Sequence, residues 1–321
     1  MAGIAVAVIV SLSLAAAALR VGPRLGFVDR PEDGSLKAHT RPAVPLGGIS
    51  VFLGVHTGMT IEGIYDPGLS TATGGLLVLG LLDDRFQLAP SVRLVAEVML
   101  AVVMVGFADG GWSAQPLALV VGIVLVVGAI NAVNLFDGMD GLAGTSAAVA
   151  AVGIAALAEA RGLNGIFGFI LAGAVIGFLA LNWHPAKLFL GDNGSYVLGA
   201  FLAYGIMRVS PEPIDSRLVV AAVLLGVFAL DLATTIIRRR LAGRPLFIGD
   251  RGHLYDQLLD RGWTIPRTVA AMGALQIAYV GISTAIEQVR SGPGRLGLVA
   301  AVAIASLLFV RAGGFLRLQP D

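Results

Sequence analysis

Long apolar runs separated by short polar segments dominate this chain, and the runs have the length that a bilayer demands. A helix crossing the hydrocarbon core needs roughly 20 apolar residues, somewhat fewer when flanking side chains snorkel. Eleven windows qualify: 1–19, 46–64, 69–82, 92–108, 116–130, 142–158, 165–182, 195–209, 217–237, 266–286 and 296–316. The weakest are 69–82, which is short, and 46–64, which holds His56 and Glu62. The stretch from Met1 to Leu19 has no charged segment before it and no clear cleavage motif after it, so it reads as a first span and not a signal peptide. The pattern predicts an all-α integral membrane protein, a single polytopic domain over residues 1–321 with about eleven transmembrane helices.

Composition agrees. Hydrophobic residues make up 56% of the chain and charged residues 13%, about half the charged share of an ordinary soluble domain. The net charge of +1, with no cluster of basic and aromatic residues, argues against nucleic acid as a partner. The absence of cysteine excludes disulfides, thiolate metal sites and cysteine nucleophiles.

The charges also orient the chain. With eleven spans, alternate loops share a face, and 17 of the 22 Lys and Arg residues fall on one of them. The other face holds Arg161, Arg208, Arg217, Arg290 and Arg295. The positive-inside rule makes the richer face cytoplasmic and leaves the N-terminus outside. The potentially reactive residues sort the same way, in or beside the cytoplasmic loops. A channel or transporter is expected to hold ionisable groups near the midplane, often in broken helices. Polar groups at helix ends on one side favour chemistry at the interface.

Three segments carry that chemistry. Gly80-Leu-Leu-Asp83-Asp84-Arg85 sets two carboxylates at the end of an apolar window. Adjacent helical residues diverge by about 100°, so one carboxylate can serve a metal and the other a proton or Arg85. In Asn131-Ala-Val-Asn134-Leu-Phe-Asp137-Gly-Met-Asp140-Gly141, amides and carboxylates recur every three residues, near one face of a helix. Such groups suit nucleoside hydrogen bonding and oxygen coordination of Mg²⁺. An ordinary Asn/Asp/Gly loop explains four polar groups in one register poorly. Phe189-Leu-Gly191-Asp192-Asn193-Gly194-Ser195 opens the next window, where backbone N–H groups attract phosphate and Asp192 can hold a bridging cation. Helix capping by Asp192, Asn193 or Ser195 is the plainer reading, and it is compatible with catalysis. Two further segments are Lys37-Ala-His39-Thr-Arg41-Pro42 and Gly249-Asp250-Arg251-Gly252-His253-Leu-Tyr255-Asp256. Arg238-Arg239-Arg240 reads as a membrane-surface anchor.

Together, LLDD at 81–84, NxxNxxDGxDGLAG at 131–144, FLGDNGS at 189–195, the Lys37–Gly48 segment and DRGH at 250–253 resemble the polyprenyl-phosphate N-acetylaminosugar-1-phosphate transferases, a glycosyltransferase family 4 type. The motifs follow the family's order across residues 37–256. The resemblance implies Mg²⁺-dependent (or Mn²⁺-dependent) transfer of an N-acetylhexosamine-1-phosphate from a UDP-sugar to undecaprenyl or decaprenyl phosphate, releasing UMP and starting a cell-envelope glycan. It places an acidic cleft on the cytoplasmic side of a bacterial inner membrane. Asp83, Asp84, Asp192 and His253 are the catalytic candidates, with the metal on Asp192 and Asp84. Lys37, His39, Asn131, Asn134, Asp137, Asp140 and Arg251 are candidates for binding substrate. The partners implied are the UDP-aminosugar, the polyprenyl phosphate and the bilayer, and a homodimer remains open.

One departure bears on the substrate. The branch that transfers phospho-N-acetylmuramoyl-pentapeptide carries consecutive histidines in its last cytoplasmic loop, whereas here His253 is followed by Leu254, Tyr255 and Asp256. The N-acetylglucosamine branch usually has two or three histidines spaced within four residues, so the lone His253 argues against the pentapeptide substrate and leaves the aminosugar open, while the resemblance as a whole is to the N-acetylglucosamine-1-phosphate-transferase-like branch. A CDP-alcohol phosphotransferase is disfavoured because Asp137-Gly-Met-Asp140-Gly-Leu-Ala143 is followed by Gly144 where that motif has Arg. A membrane transporter is the alternative outside enzymes.

Overall fold

A computed structural model describes residues 1–28, 43–108, 111–210, 212, 214–245 and 251–316. Among them the regular structure is helical, and the extended pairing is one isolated bridge between Val44 and Leu188. The helices are α1 (Ala2–Val21), α2 (Gly47–Ile61), α3 (Pro67–Phe86), α4 (Pro90–Gly106), α5 (Pro116–Phe136), α6 (Leu142–Ala160), α7 (Ile166–Asn182), α8 (Asp192–Val209), α9 (Ser216–Ala222), α10 (Gly226–Leu241), α11 (Leu254–Asp260), α12 (Ile265–Glu287) and α13 (Gly292–Ala312). A 3₁₀ turn, Val223–Leu225, joins α9 to α10.

Local chemistry sets where the helices begin. Pro67, Pro90 and Pro116 occupy first turns, where a missing N–H is harmless. Asp66, Thr264 and Ser291 cap α3, α12 and α13 by accepting a first-turn N–H.

Every apolar window in the sequence coincides with helix. Six segments are long and apolar enough to cross a membrane: 2–25, 116–136, 142–160, 216–241, 265–287 and 292–312. Helices α2 and α7 are apolar but shorter. Helices α3, α4 and α8 carry charge within their bounds: Asp83, Asp84 and Arg85; Arg93 and Glu97; Asp192 and Arg208.

The bundle is built around α8, where all residues but Asp192 and Arg208 are buried. Helices α2, α3, α5 and α6 pack on it, and α1 and α7 close one flank. Small side chains permit this intimacy, as in membrane helix pairs generally: the buried stripe of α1 is Gly3, Ala7, Ser11 and Ala15. Helix α13 lies outermost, burying only Arg295 and Val310, while Leu296, Leu298, Ile304, Leu308 and Phe309 point outward. An apolar exterior of that kind suits lipid, not water.

The two ends of α8 differ chemically. Arg208 marks one end, where Arg161 at the close of α6 bonds the Val209 carbonyl at 2.6 Å and Glu287 of α12 at 2.6 Å. Asp192 marks the other, and the motif residues collect there.

Candidate active site

Between α7 and α8 the chain runs beside the segment leading into α2. Gly47 and Gly48 donate backbone bonds to the Phe189 and Leu190 carbonyls, which sets the start of α2 against the start of α8. Gly191 then turns the backbone into α8 at φ +75°, a left-handed value that glycine tolerates best. Helix α3 approaches the same point so closely that a Cβ on Gly80 would strike the Asn193 backbone.

That approach brings Asp84 onto the first turn of α8. Its carboxylate accepts from the Asp192 amide at 2.9 Å, the Asn193 amide at 3.2 Å and the Asn193 side-chain amide at 2.6 Å. Asn193 also donates to the Pro45 carbonyl at 2.7 Å. The α8 helix is therefore capped by a carboxylate from α3, which favours the positive end of its dipole. The amides of Gly194 and Ser195 turn back to the Gly191 carbonyl. This corrects the expectation of a phosphate seat on these amides: all four first-turn N–H groups already have partners.

Asp83 serves another purpose. It is buried and accepts from Tyr196 at 2.6 Å, Arg93 at 2.9 Å and the Leu88 amide at 2.7 Å. These bonds tie the end of α3 to α4 and α8. The two adjacent acids thus face different partners, as their helical divergence requires.

Asn134, near the end of α5, donates to Asp192 at 2.7 Å and to Ser195 at 3.0 Å. One Asp192 oxygen is held this way, and the other accepts no hydrogen bond among the described residues. Asp137 follows directly after α5. Its half-buried carboxylate has no hydrogen bond or ion pair among the described residues. Burial, and then the charges of Asp192, Asp84 and Asp140, push it up to about 8. Among the described residues no counter-charge meets this crowded carboxylate.

The remaining candidates are more dispersed. Asn131 turns to Glu97 of α4 at 2.5 Å. Asp140 accepts from His184 at 2.9 Å and the Ala186 amide at 3.0 Å, holding the loop before α8. His253 is buried and bonded through Nδ1 to Asp231 of α10 at 2.7 Å. Arg251 is half exposed, 3.8 Å from Asp260. Arg238 and Arg239 are buried, with Arg240 alone exposed, so the triple arginine is not a simple surface anchor. Lys37 and His39 lie outside the described residues.

Sequence reading missed Arg93, Glu97, Tyr196 and Asp231. A signal for two of them existed: Glu97 and Asp231 are carboxylates inside apolar windows, where an ionisable group needs a reason. Arg93 and Tyr196 are visible only once Asp83 has a position.

The donor set suits a hard cation. Asp137 and the unbonded Asp192 oxygen are oxygen donors of like charge. Among the described residues no three His, Asp or Glu side chains converge to hold an ion unaided. Mg²⁺ is content with one or two carboxylates, completing its shell with water and substrate phosphate.

The site stands at one end of a helical membrane bundle, where acids and amides borne by α3, α5 and α8 meet. Residues 67–210 match the model for glycosyl transferase family 4. A Streptomyces coelicolor protein named as a glycosyltransferase is 32% identical, over 92% of this chain and 73% of its own. This chain belongs to that family. Other relatives include the Mycolicibacterium smegmatis decaprenyl-phosphate N-acetylglucosaminephosphotransferase, 29% identical over 93% of this chain and 84% of its own. The Salmonella typhi undecaprenyl-phosphate alpha-N-acetylglucosaminyl 1-phosphate transferase is 28% identical over 83% of this chain and 78% of its own.

Proposed function

We propose that this protein transfers N-acetylglucosamine-1-phosphate from UDP-N-acetylglucosamine to a polyprenyl phosphate, releasing UMP, at the cytoplasmic face of a bacterial plasma membrane. The observation that carries the reading is the meeting of Asp84, Asn134, Asp137 and Asp192 at one end of the bundle. The names of the relatives supply the polyprenyl phosphate and the N-acetylglucosamine phosphate, and the motif resemblance supplies the UDP carrier.

Phosphoryl transfer asks for in-line positioning and neutralised charge, with little covalent chemistry from the protein. Asp84 fixes the start of α8, and Asn134 fixes the carboxylate of Asp192. Asp137 and Asp192 are the residues to hold Mg²⁺; Asp84 stands behind them with its oxygens engaged. When bound, the ion supplies charge neutralisation at the diphosphate. An oxygen of the lipid phosphate attacks the sugar-bearing phosphorus, and the bond to UMP breaks. His253 and Arg251 serve the diphosphate or the sugar.

The proposed topology has eleven spans and an external N-terminus. The polar knot of Arg161, Glu287, Arg217 and Arg295 then faces outward, at the opposite end of the bundle from Asp192. The donor preference rests on the segment after His253, where Tyr255 is packed inward against Phe136 and Gly138 and no second imidazole follows.

Purified protein incubated with polyprenyl phosphate, Mg²⁺ and radiolabelled UDP-N-acetylglucosamine should form labelled lipid and UMP, and EDTA should stop it. Turnover undiminished by EDTA, or preference for the muramoyl-pentapeptide donor, would contradict the proposal.

A further inference from the structure

Asp231 lies within segment 216–241, which is apolar enough to span a membrane, and its side chain is fully buried. A carboxylate inside such a helix is costly and needs a partner. Its partners are specific. One oxygen is 2.7 Å from His253 Nδ1, and the other accepts the Leu254 amide at 2.8 Å. Thr235, one turn further along α10, reaches the same Nδ1 at 3.3 Å.

The imidazole is gripped on its face as well. It stacks on Tyr255 with centroids 5.3 Å apart and planes 7° from parallel. Tyr255 in turn bonds the Leu135 carbonyl at 3.1 Å, and a Cβ on Gly138 would collide with its ring. Asp231 therefore reaches, through His253 and Tyr255, the end of α5 that bears Asn134 and Asp137.

We infer that Asp231 is the positioning residue of His253: it holds the ring by Nδ1 and so fixes the tautomer and orientation in which His253 acts in the transfer. This rests on the transferase reading above. A carboxylate bonded to Nδ1–H selects the tautomer and orientation of the ring and favours its charged form. The chemistry belongs to His253. Asp231 touches no substrate.

A merely structural role is the competing account, because Asp231 also bonds the first amide of α11. Kinetics on single and double variants separates the two. Loss of an outer partner of a working side chain typically lowers activity 10–100-fold. Asp231→Asn should lower kcat for UDP-N-acetylglucosamine by about that factor, with KM changed less than about threefold. His253→Ala should lose about 100-fold or more. The decisive result is the pair: Asp231→Asn on top of His253→Ala should cost no further activity, since residues acting as one unit are non-additive. Asp231→Glu, which keeps the charge, should recover a measurable share of kcat.

Multiplying losses in the double variant would overturn the inference, as would a fall in kcat that merely tracks the folded fraction measured by thermal unfolding. If Asp231→Asn does not fold, Asp231→Glu is carried through both backgrounds under the same criterion. Absence of turnover by the unaltered enzyme would defeat the transferase reading, and the inference with it. Normal turnover with additive losses defeats the inference alone.

Discussion

Asp84 and Asp192 stand together at the start of α8 but do different work, and substitution separates them. Asp192→Asn keeps size and shape while removing the charge that faces the cation position. It should abolish transfer by about 100-fold or more and leave thermal stability within a degree or two, as removing one charged donor from a transition state does. Asp84→Asn weakens the cap on α8, a loss of about 1–2 kcal/mol. It should therefore lower both Tm and activity. Assays paired with thermal unfolding of both variants check this; a stable, active Asp192→Asn would sink the assignment. The motif acids were legible in the sequence because several rare residues recur at helix ends in a fixed order. What each acid faces was not legible. Whether Asp83 meets a substrate or Arg93 and Tyr196 depends on how α3, α4 and α8 cross, and no local spacing encodes that.

At the scale of elements, apolar windows predicted helices well, because a run of such residues in lipid has no other way to satisfy its backbone. Helix α11 was not predicted. It is a helix of 7 residues inside a polar loop, buried from Leu254 to Leu258, and tertiary contacts decide its shape. Asp256 in that helix is buried, and burial, helped by Asp231, raises its carboxyl to about 6 against the opposing pull of His253 and Arg251. The folded protein then holds this proton more tightly than the unfolded chain, where aspartate titrates near ~3.9. Its contribution to stability is fully present below the unfolded value of about 4 and is lost as pH rises through about 6. Asp256→Asn should accordingly stabilise the folded protein at pH 7.5 by on the order of 1–3 kcal/mol, seen as a higher Tm, and leave Tm unchanged near pH 4. Thermal unfolding at both pH values measures this. Equal shifts at the two would assign the effect to something other than the proton.

For the whole molecule, the sidedness proposed from charge counting meets a bundle whose polar groups are divided between its two ends. The chain has no cysteine, so single cysteines can report on every loop. Cysteines at Gln87 and Gly243 should react with a membrane-impermeant maleimide only after the cells are opened. Those at Asn164 and Arg290 should react from outside. Labelling of residues 87 and 243 from opposite sides would dismantle both the topology and the shared site.

Asp231 also constrains how such a chain can be made. Synthesis proceeds from the N-terminus, so segment 216–241 emerges before His253, which lies 22 residues after Asp231. The insertion machinery must accept a carboxylate whose partner has not yet docked against it, carried by the surrounding hydrophobicity alone. Only when the following loop folds back does the imidazole meet it. The site is therefore completed from one side after its walls are in place, and the hydropathy of the span must carry its acid until the partner arrives.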